Sequence, residues 1–177
     1  LESENILLEE SYTEFWARLI NIVFCSHSIM NKSISNNFDD FYLYFQLLFY
    51  YERLFSIFQC VKVLSFMNMS FDILIDESKK HIANQLYKEK TNVFPYYIGV
   101  ALLMIDPISY IDWCSKNNIN IFRFQKTDES LDKFFMYIKS VSFTDKCKSI
   151  MNNMIKLVHK IPSDLKLSSR MTMCELT

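Results

Sequence analysis

The chain has 177 residues, half of them apolar and 16% aromatic, which is enough apolar matter for one domain with a sizeable core. It contains one glycine and three prolines, where average usage would give roughly 12 and 9. This scarcity excludes the glycine-rich loops that hold phosphates and dinucleotides, the nucleophile elbow of hydrolases, and chains of tight hairpins. The net charge of −1 hides an asymmetry, because residues 1–76 carry 4 basic and 10 acidic side chains and residues 77–177 carry 15 and 10.

The cysteines and the N-terminus indicate a cellular compartment. The five cysteines are odd in number and widely spaced, so they form neither a disulfide framework nor a zinc-ligand pattern. We therefore expect free thiols in an intracellular, reducing compartment, the cytoplasm or the nucleus. The chain lacks an initiator methionine, and its first ten residues are acidic rather than basic and then apolar, so we expect a fragment of a larger protein without a signal peptide. No run reaches the roughly 18 apolar residues of a membrane span.

The first predicted element is a surface helix from about Asn5 to Ser28. Leu8, Tyr12, Phe15 and the apolar residues that follow them recur at helical spacing along one side of it. A loop rich in asparagine and serine follows, from Asn31 to Asn37.

The most distinctive segment is Phe38–Met67, in which 21 of 30 residues are apolar and 11 are aromatic. A helix that is apolar on nearly all sides must be covered on nearly all sides, so we predict a central helix here. A pair of buried strands is the alternative, because phenylalanine and tyrosine favour strands. The length of the segment and its lack of turn residues favour the helix.

Four shorter elements are predicted in the middle of the chain. A helix should run from Phe71 to about Lys90, and Tyr96–Ile105 is a short buried helix or a strand. Pro107 can begin a helix that Asp106 caps. Ile119–Phe124 alternates apolar and polar residues, which predicts a strand.

Two more helices are predicted near the C-terminus. Thr127 and Thr144 mark their starts, and Pro162 ends the second one. The one glycine, Gly99, is a predicted point of close packing between helices.

Together these elements predict an all-α fold of six to eight helices packed around the aromatic central helix. Residues 1–162 should form a single helical domain, and residues 163–177 a polar tail that is loose unless a partner holds it. Helix pairs of about 40 residues would also suit a fragment of an α-solenoid.

The sequence contains only weak signals for catalytic or metal-binding sites. Glu77 and His81 lie one helical turn apart, which permits a metal pair, but a solvated helix face explains them as well. Cys114 and His159 could in principle form a thiolate and its base, although free cysteine is most often simply buried. We expect no enzyme activity, no cofactor and no metal.

The ten tyrosines indicate an interaction function, because not all of their hydroxyls can find partners in a core and surface tyrosine is common at protein interfaces. The predicted function is a non-catalytic scaffold or interaction domain whose partner is another protein or a helical peptide received in a groove. The charge asymmetry would orient that partner. The partner-binding residues predicted from the sequence are Tyr42, Tyr50, Tyr51, Tyr96 and Tyr97.

The alternative is a module that binds nucleic acid through its basic C-terminal segment. Lys133–Arg170 contains 8 basic and 2 acidic residues, and Lys148, Lys156 and Lys160 would form its basic face. Residues 146–170 have a single arginine and no aromatic side chain for base stacking, which favours the protein partner.

Overall fold

The computed structural model describes residues 6–32, 37–89, 91–161 and 170–175. Within these ranges the fold is all-α, with eight α-helices and no strand. The helices are α1 (Glu9–Asn31), α2 (Phe38–Phe66), α3 (Phe71–Ile75), α4 (Lys80–Leu86), α5 (Val100–Ile105), α6 (Pro107–Asn117), α7 (Asp128–Ser142) and α8 (Asp145–Lys160). The predicted all-α class and helix number are confirmed, whereas a solenoid arrangement is not shown.

Side-chain caps set several helix starts where the sequence predicts them. Asp106, Thr127 and Thr144 each accept a hydrogen bond from a backbone N–H three residues on, at the starts of α6, α7 and α8. Asn37 does the same for α2, accepting from Asp40 at 2.8 Å. Of the loop predicted over residues 31–37, residues 33–36 lie outside the described part, as does Pro162.

The core forms where α2, α5 and the C-terminal helices meet. All six residues of α5 are buried, and this helix packs against α1, α2, α7 and α8. The second half of α2 contributes Ile57, Cys60, Val61 and Leu64 to the same cluster. The first half of α2 packs against Ile22 and Cys25 of α1, whereas Ser56, later in α2, accepts a hydrogen bond from Arg18, which is earlier in α1. The two helices therefore run antiparallel.

The prediction that α2 is covered on nearly all sides is wrong for its first half. Leu43 is 60% exposed and Tyr50 54% exposed, although both lie in the longest uncharged stretch of the helix. This half of α2 packs against α1 through Phe45, Leu48 and Phe49, which contact Ile22 and Cys25. Among the described residues, α1 and Cys174 cover one side of this half of α2, and the opposite side is in solvent.

Two other predicted elements differ because polar side chains form local turns. The helix predicted over 71–90 is interrupted after α3, where the Asp76 side chain accepts from Ser78 N–H and starts a 3-10 turn, Glu77–Lys79. The strand predicted over 119–124 is a turn with one isolated bridge, between Asn120 and Arg123. The Asn120 side chain accepts from Phe122 N–H at 3.0 Å, which closes that turn.

A π-helix, Phe94–Gly99, leads into α5 and lies against α1. Ser11 donates to the Pro95 carbonyl at 3.1 Å and Arg18 donates to the Tyr96 carbonyl at 2.9 Å. A Cβ atom on Gly99 would stand 2.9 Å from the Ser11 Cβ. The predicted close-packing role of Gly99 is therefore confirmed.

Candidate interaction surface

The most prominent exposed surface is one side of the first half of α2. Its exposed positions recur about every four residues, so they form one stripe along the helix. The large apolar members are 37–73% exposed. We call this stripe the α2 face; it consists of Phe38, Tyr42, Leu43, Gln46, Leu47, Tyr50, Tyr51 and Leu54.

The α2 face is apolar and uncharged over most of its length. No charged residue occurs between Phe41 and Tyr51. An aromatic side chain carries roughly 150–250 Å2 of surface, so four half-exposed aromatics and three leucines leave on the order of 600 Å2 exposed. That is the upper end for the largest apolar patch of a monomeric protein, about 300–600 Å2.

Three of the five tyrosines predicted to bind a partner lie on the α2 face. Tyr42 is 49% exposed, and the rings of Tyr50 and Tyr51 lie edge to face with their centroids 5.6 Å apart. Tyr96 and Tyr97 lie instead on the π-helix and are half-buried. A hydrogen bond with Glu10 raises the pKa of Tyr96, and burial raises the pKa of Tyr97.

The leucines of the α2 face are the residues that sequence reasoning missed. The apolar character of Leu43, Leu47 and Leu54 was the signal for a buried helix, and the structure leaves all three exposed. The absence of charge that predicts a covered helix is therefore also the signal for this exposed surface, because among the described residues α1 and Cys174 cover only the opposite side of α2.

A second apolar surface is a groove of about 420 Å3 between α7 and the α3–α4 segment. Leu74, Phe94, Leu102 and Ile138 are among the residues that line it. An ion pair between Glu77 and Lys139, 2.7 Å long, stands at its rim.

That ion pair bears on the metal pair considered from the sequence. The hydrogen bond from Lys139 lowers the pKa of Glu77, so this carboxylate is engaged by a cation on another helix. His81 is exposed on α4. In the described residues no group of three or more histidine, cysteine, aspartate or glutamate side chains could hold a metal ion.

A buried charge cluster joins α1 to α2. Arg18 is 3% exposed, and its guanidinium lies 2.8 Å from Glu14 and 3.6 Å from Glu52, whose side chain is fully buried. Arg18 also donates to the Ser56 hydroxyl at 2.8 Å. Each charge in this cluster is paired, as burial of charged groups requires.

Residues 170–175, the described part of the predicted tail, lie against this cluster. The second oxygen of Glu52 accepts from the Thr172 hydroxyl at 2.9 Å and from the Met173 N–H at 2.8 Å. Asn21 donates to the Cys174 carbonyl at 2.9 Å. The segment therefore bridges α1 and α2 through hydrogen bonds of both helices.

The cysteines have the environment of structural thiols. All five are free and buried. Burial raises the pKa of Cys114 to about 11 and that of Cys147 to about 12. A thiol with a raised pKa is a poor nucleophile at neutral pH, and His159 is exposed on α8 whereas Cys114 is fully buried.

The predicted basic face on α8 is less continuous than the sequence indicates. Lys156 and Lys160 are exposed one turn apart, whereas Lys148 lies over the Phe143 ring, 5.9 Å from its centroid. Four other cations of the basic segment pair with carboxylates: Lys133 with Glu129, Lys139 with Glu77, Lys146 with Asp106, and Arg170 with Glu175.

Among the described residues no single helix has the length and hydropathy of a membrane span; Phe94–Ile105 and Pro107–Asn117 pass that test only as a pair, bent by 100°.

Comparisons with protein-family models, with curated proteins and with solved structures find no match for this chain.

Proposed function

We propose that this chain is a non-catalytic protein-interaction domain and that the α2 face binds its protein partner. The observation that carries the proposal is the uncharged stripe itself, which leaves on the order of 600 Å2 of apolar side chain in solvent. Burying such a surface is favourable by roughly 25 cal/mol per Å2 before the costs of association.

The chemistry of the α2 face suits a protein partner. Tyr42, Tyr50 and Tyr51 supply large contact areas with hydroxyl groups that tolerate both solvent and interface. Leu43 and Leu47 supply apolar contact between them. Aromatic anchors of this kind dominate the binding energy of protein interfaces.

The nucleic-acid alternative has less support. In the described part of the basic segment four cations form ion pairs within the fold, and Lys156 and Lys160 are an exposed pair on α8. Two lysines would neutralise few phosphates, so binding through them alone would be weak.

A capture experiment with matched variants tests the proposal. Three tagged chains serve as baits: wild type, Tyr50→Ser and Ile108→Ser. Ile108→Ser is the control, because Ile108 is an exposed apolar residue of α6 outside the α2 face. Quantitative mass spectrometry should find proteins that wild type and Ile108→Ser retain and that Tyr50→Ser loses by at least about tenfold. Equal retention by all three baits would contradict the proposal.

A further inference from the structure

We propose that the α2 face binds the same face of a second copy of this chain, with the two α2 helices antiparallel and a two-fold axis beside Gln46. This inference rests on the proposed function, because it names the protein that the α2 face binds. It goes further in assigning a register and a symmetry.

The first step is the spacing of residues along α2. Asp39, Leu43, Gln46, Tyr50 and Arg53 follow one another at intervals of four, three, four and three. This alternation keeps residues on one side of a helix and is the spacing of a coiled-coil seam. We call these five residues the seam; its first four members are exposed and Arg53 is half-buried.

The second step is that the seams of two copies are complementary when the two α2 helices run antiparallel. A two-fold interface brings the same surface of two subunits together, so residue i meets residue j and residue j meets residue i. With the axis beside Gln46, Asp39 faces Arg53 of the partner subunit and Leu43 faces the partner's Tyr50. The two Gln46 amides meet at the axis, where each can donate to the other.

The charges at the two ends of the seam are placed for this pairing. Asp39 is exposed in the first turn of α2 and meets no cation among the described residues. Arg53 donates to the carbonyls of Met104 at 3.0 Å and Ile105 at 3.2 Å and, within the described ranges, has no carboxylate partner. A guanidinium that is held by two carbonyls keeps further donors for a carboxylate.

The size of the α2 face also fits a dimer. From Phe38 to Leu54 the helix extends about 24 Å. A standard stable interface buries about 800 Å2 per partner, and the apolar side chains of the α2 face supply on the order of 600 Å2 of it. Antiparallel pairing covers the whole stripe, because its centre is the centre of symmetry. A parallel pairing would place Asp39 against Asp39.

The first experiment measures the mass of the full chain in solution over a range of concentrations, by sedimentation equilibrium. We expect a species of twice the 21.2 kDa chain mass. Leu43→Lys should raise the dissociation constant by at least about tenfold, and the control Ile108→Lys should not. Both changed side chains are largely exposed, and circular dichroism checks that each variant is folded.

The second experiment tests the register by oxidative cross-linking of single-cysteine additions, since the native cysteines are all buried. Gln46→Cys should cross-link to itself. Leu43→Cys should cross-link to Tyr50→Cys in a mixture, and Asp39→Cys should not cross-link to itself. Self-linking of Asp39→Cys would overturn the antiparallel arrangement.

The outcomes separate this inference from the proposed function. A chain that stays monomeric, or a dimer that Leu43→Lys leaves intact, overturns the inference. Loss of captured proteins by Tyr50→Ser would still support the proposed function with a different partner. A dimer that depends on Leu43 supports both.

Discussion

Replacing Gly99 by alanine would place a methyl group where Ser11 of α1 already stands. The added Cβ would lie 2.0 Å from the Ser11 hydroxyl oxygen and 2.9 Å from the Ser11 Cβ. Rotating the hydroxyl away removes the first contact, but it also breaks the 3.1 Å hydrogen bond to the Pro95 carbonyl. The second contact remains whatever the rotamer, so the helices must move apart.

The expected loss of stability follows from three contributions. Overpacking of a tight site costs about 1–3 kcal/mol. Loss of a buried hydroxyl hydrogen bond costs about 1 kcal/mol, and the preference of helices for alanine over glycine returns up to about 1 kcal/mol. We therefore expect Gly99→Ala to lower the free energy of unfolding by about 2 kcal/mol, or Tm by about 4–8 °C for a chain of this size.

Urea denaturation of four chains checks this expectation: wild type, Gly99→Ala, Ser11→Gly and the double variant. Ser11→Gly removes both clashing atoms, so the double variant should be more stable than the sum of the single effects by at least about 1 kcal/mol. Ser149→Ala on the exposed side of α8 is a control that should stay within about 0.5 kcal/mol of wild type. A Gly99→Ala variant as stable as wild type, or no rescue by Ser11→Gly, would refute the close-packing argument.

Three further results are expected from other contacts. Glu52→Ala removes one of the two carboxylates that pair with buried Arg18, and also the acceptor of Thr172 and Met173, so it should lower the free energy of unfolding by about 3 kcal/mol in urea denaturation; a change below about 1 kcal/mol would contradict the burial of this charge. Cys114, with a pKa of about 11, should resist iodoacetamide at pH 8 until the chain is unfolded, and rapid labelling of the native chain would show that the thiol is accessible. The Lys146 hydrogen bond lowers the pKa of Asp106, so the stabilisation is present above about pH 4 and is lost as the pH falls through the folded-state pKa. Between about pH 5 and pH 3 the free energy of unfolding should therefore fall less for Lys146→Gln than for wild type, by under about 1 kcal/mol, as measured by urea denaturation at each pH. Equal decreases for the two chains would count against this ion pair.

Local patterns predicted most helices, because caps and apolar spacing act within a few residues. The threonine caps of α7 and α8 and the proline start of α6 lie where the sequence indicates. The breaks at Asp76 and Asn120 were missed because a single polar side chain can bond the backbone two residues on and so end a longer pattern. The spacing of apolar residues alone does not show where such a side-chain hydrogen bond to the backbone replaces the regular helix or strand bonds.

The surface was harder to predict than the helices. An apolar helix face requires a cover, but the sequence does not say whether the cover belongs to the same chain. For α2 the cover on one side is α1, and the other side, with Leu43 and Tyr50, has none among the described residues. Tyr42, Tyr50 and Tyr51 are exposed on α2. The partial burial of Tyr96 and Tyr97 depends on how the π-helix packs against α1, which follows from Ser11 and Arg18 rather than from local spacing.

The contact between Glu52 and residues 172–173 has a consequence for folding order. It joins positions about 120 residues apart in sequence, so it is a non-local contact that must close a long loop before it forms. Before this contact forms, the Glu52 oxygen that accepts from Thr172 and Met173 needs water as its hydrogen-bond donor. We therefore expect residues 170–175 to dock on the α1–α2 pair late in folding, after the more local helix contacts have formed.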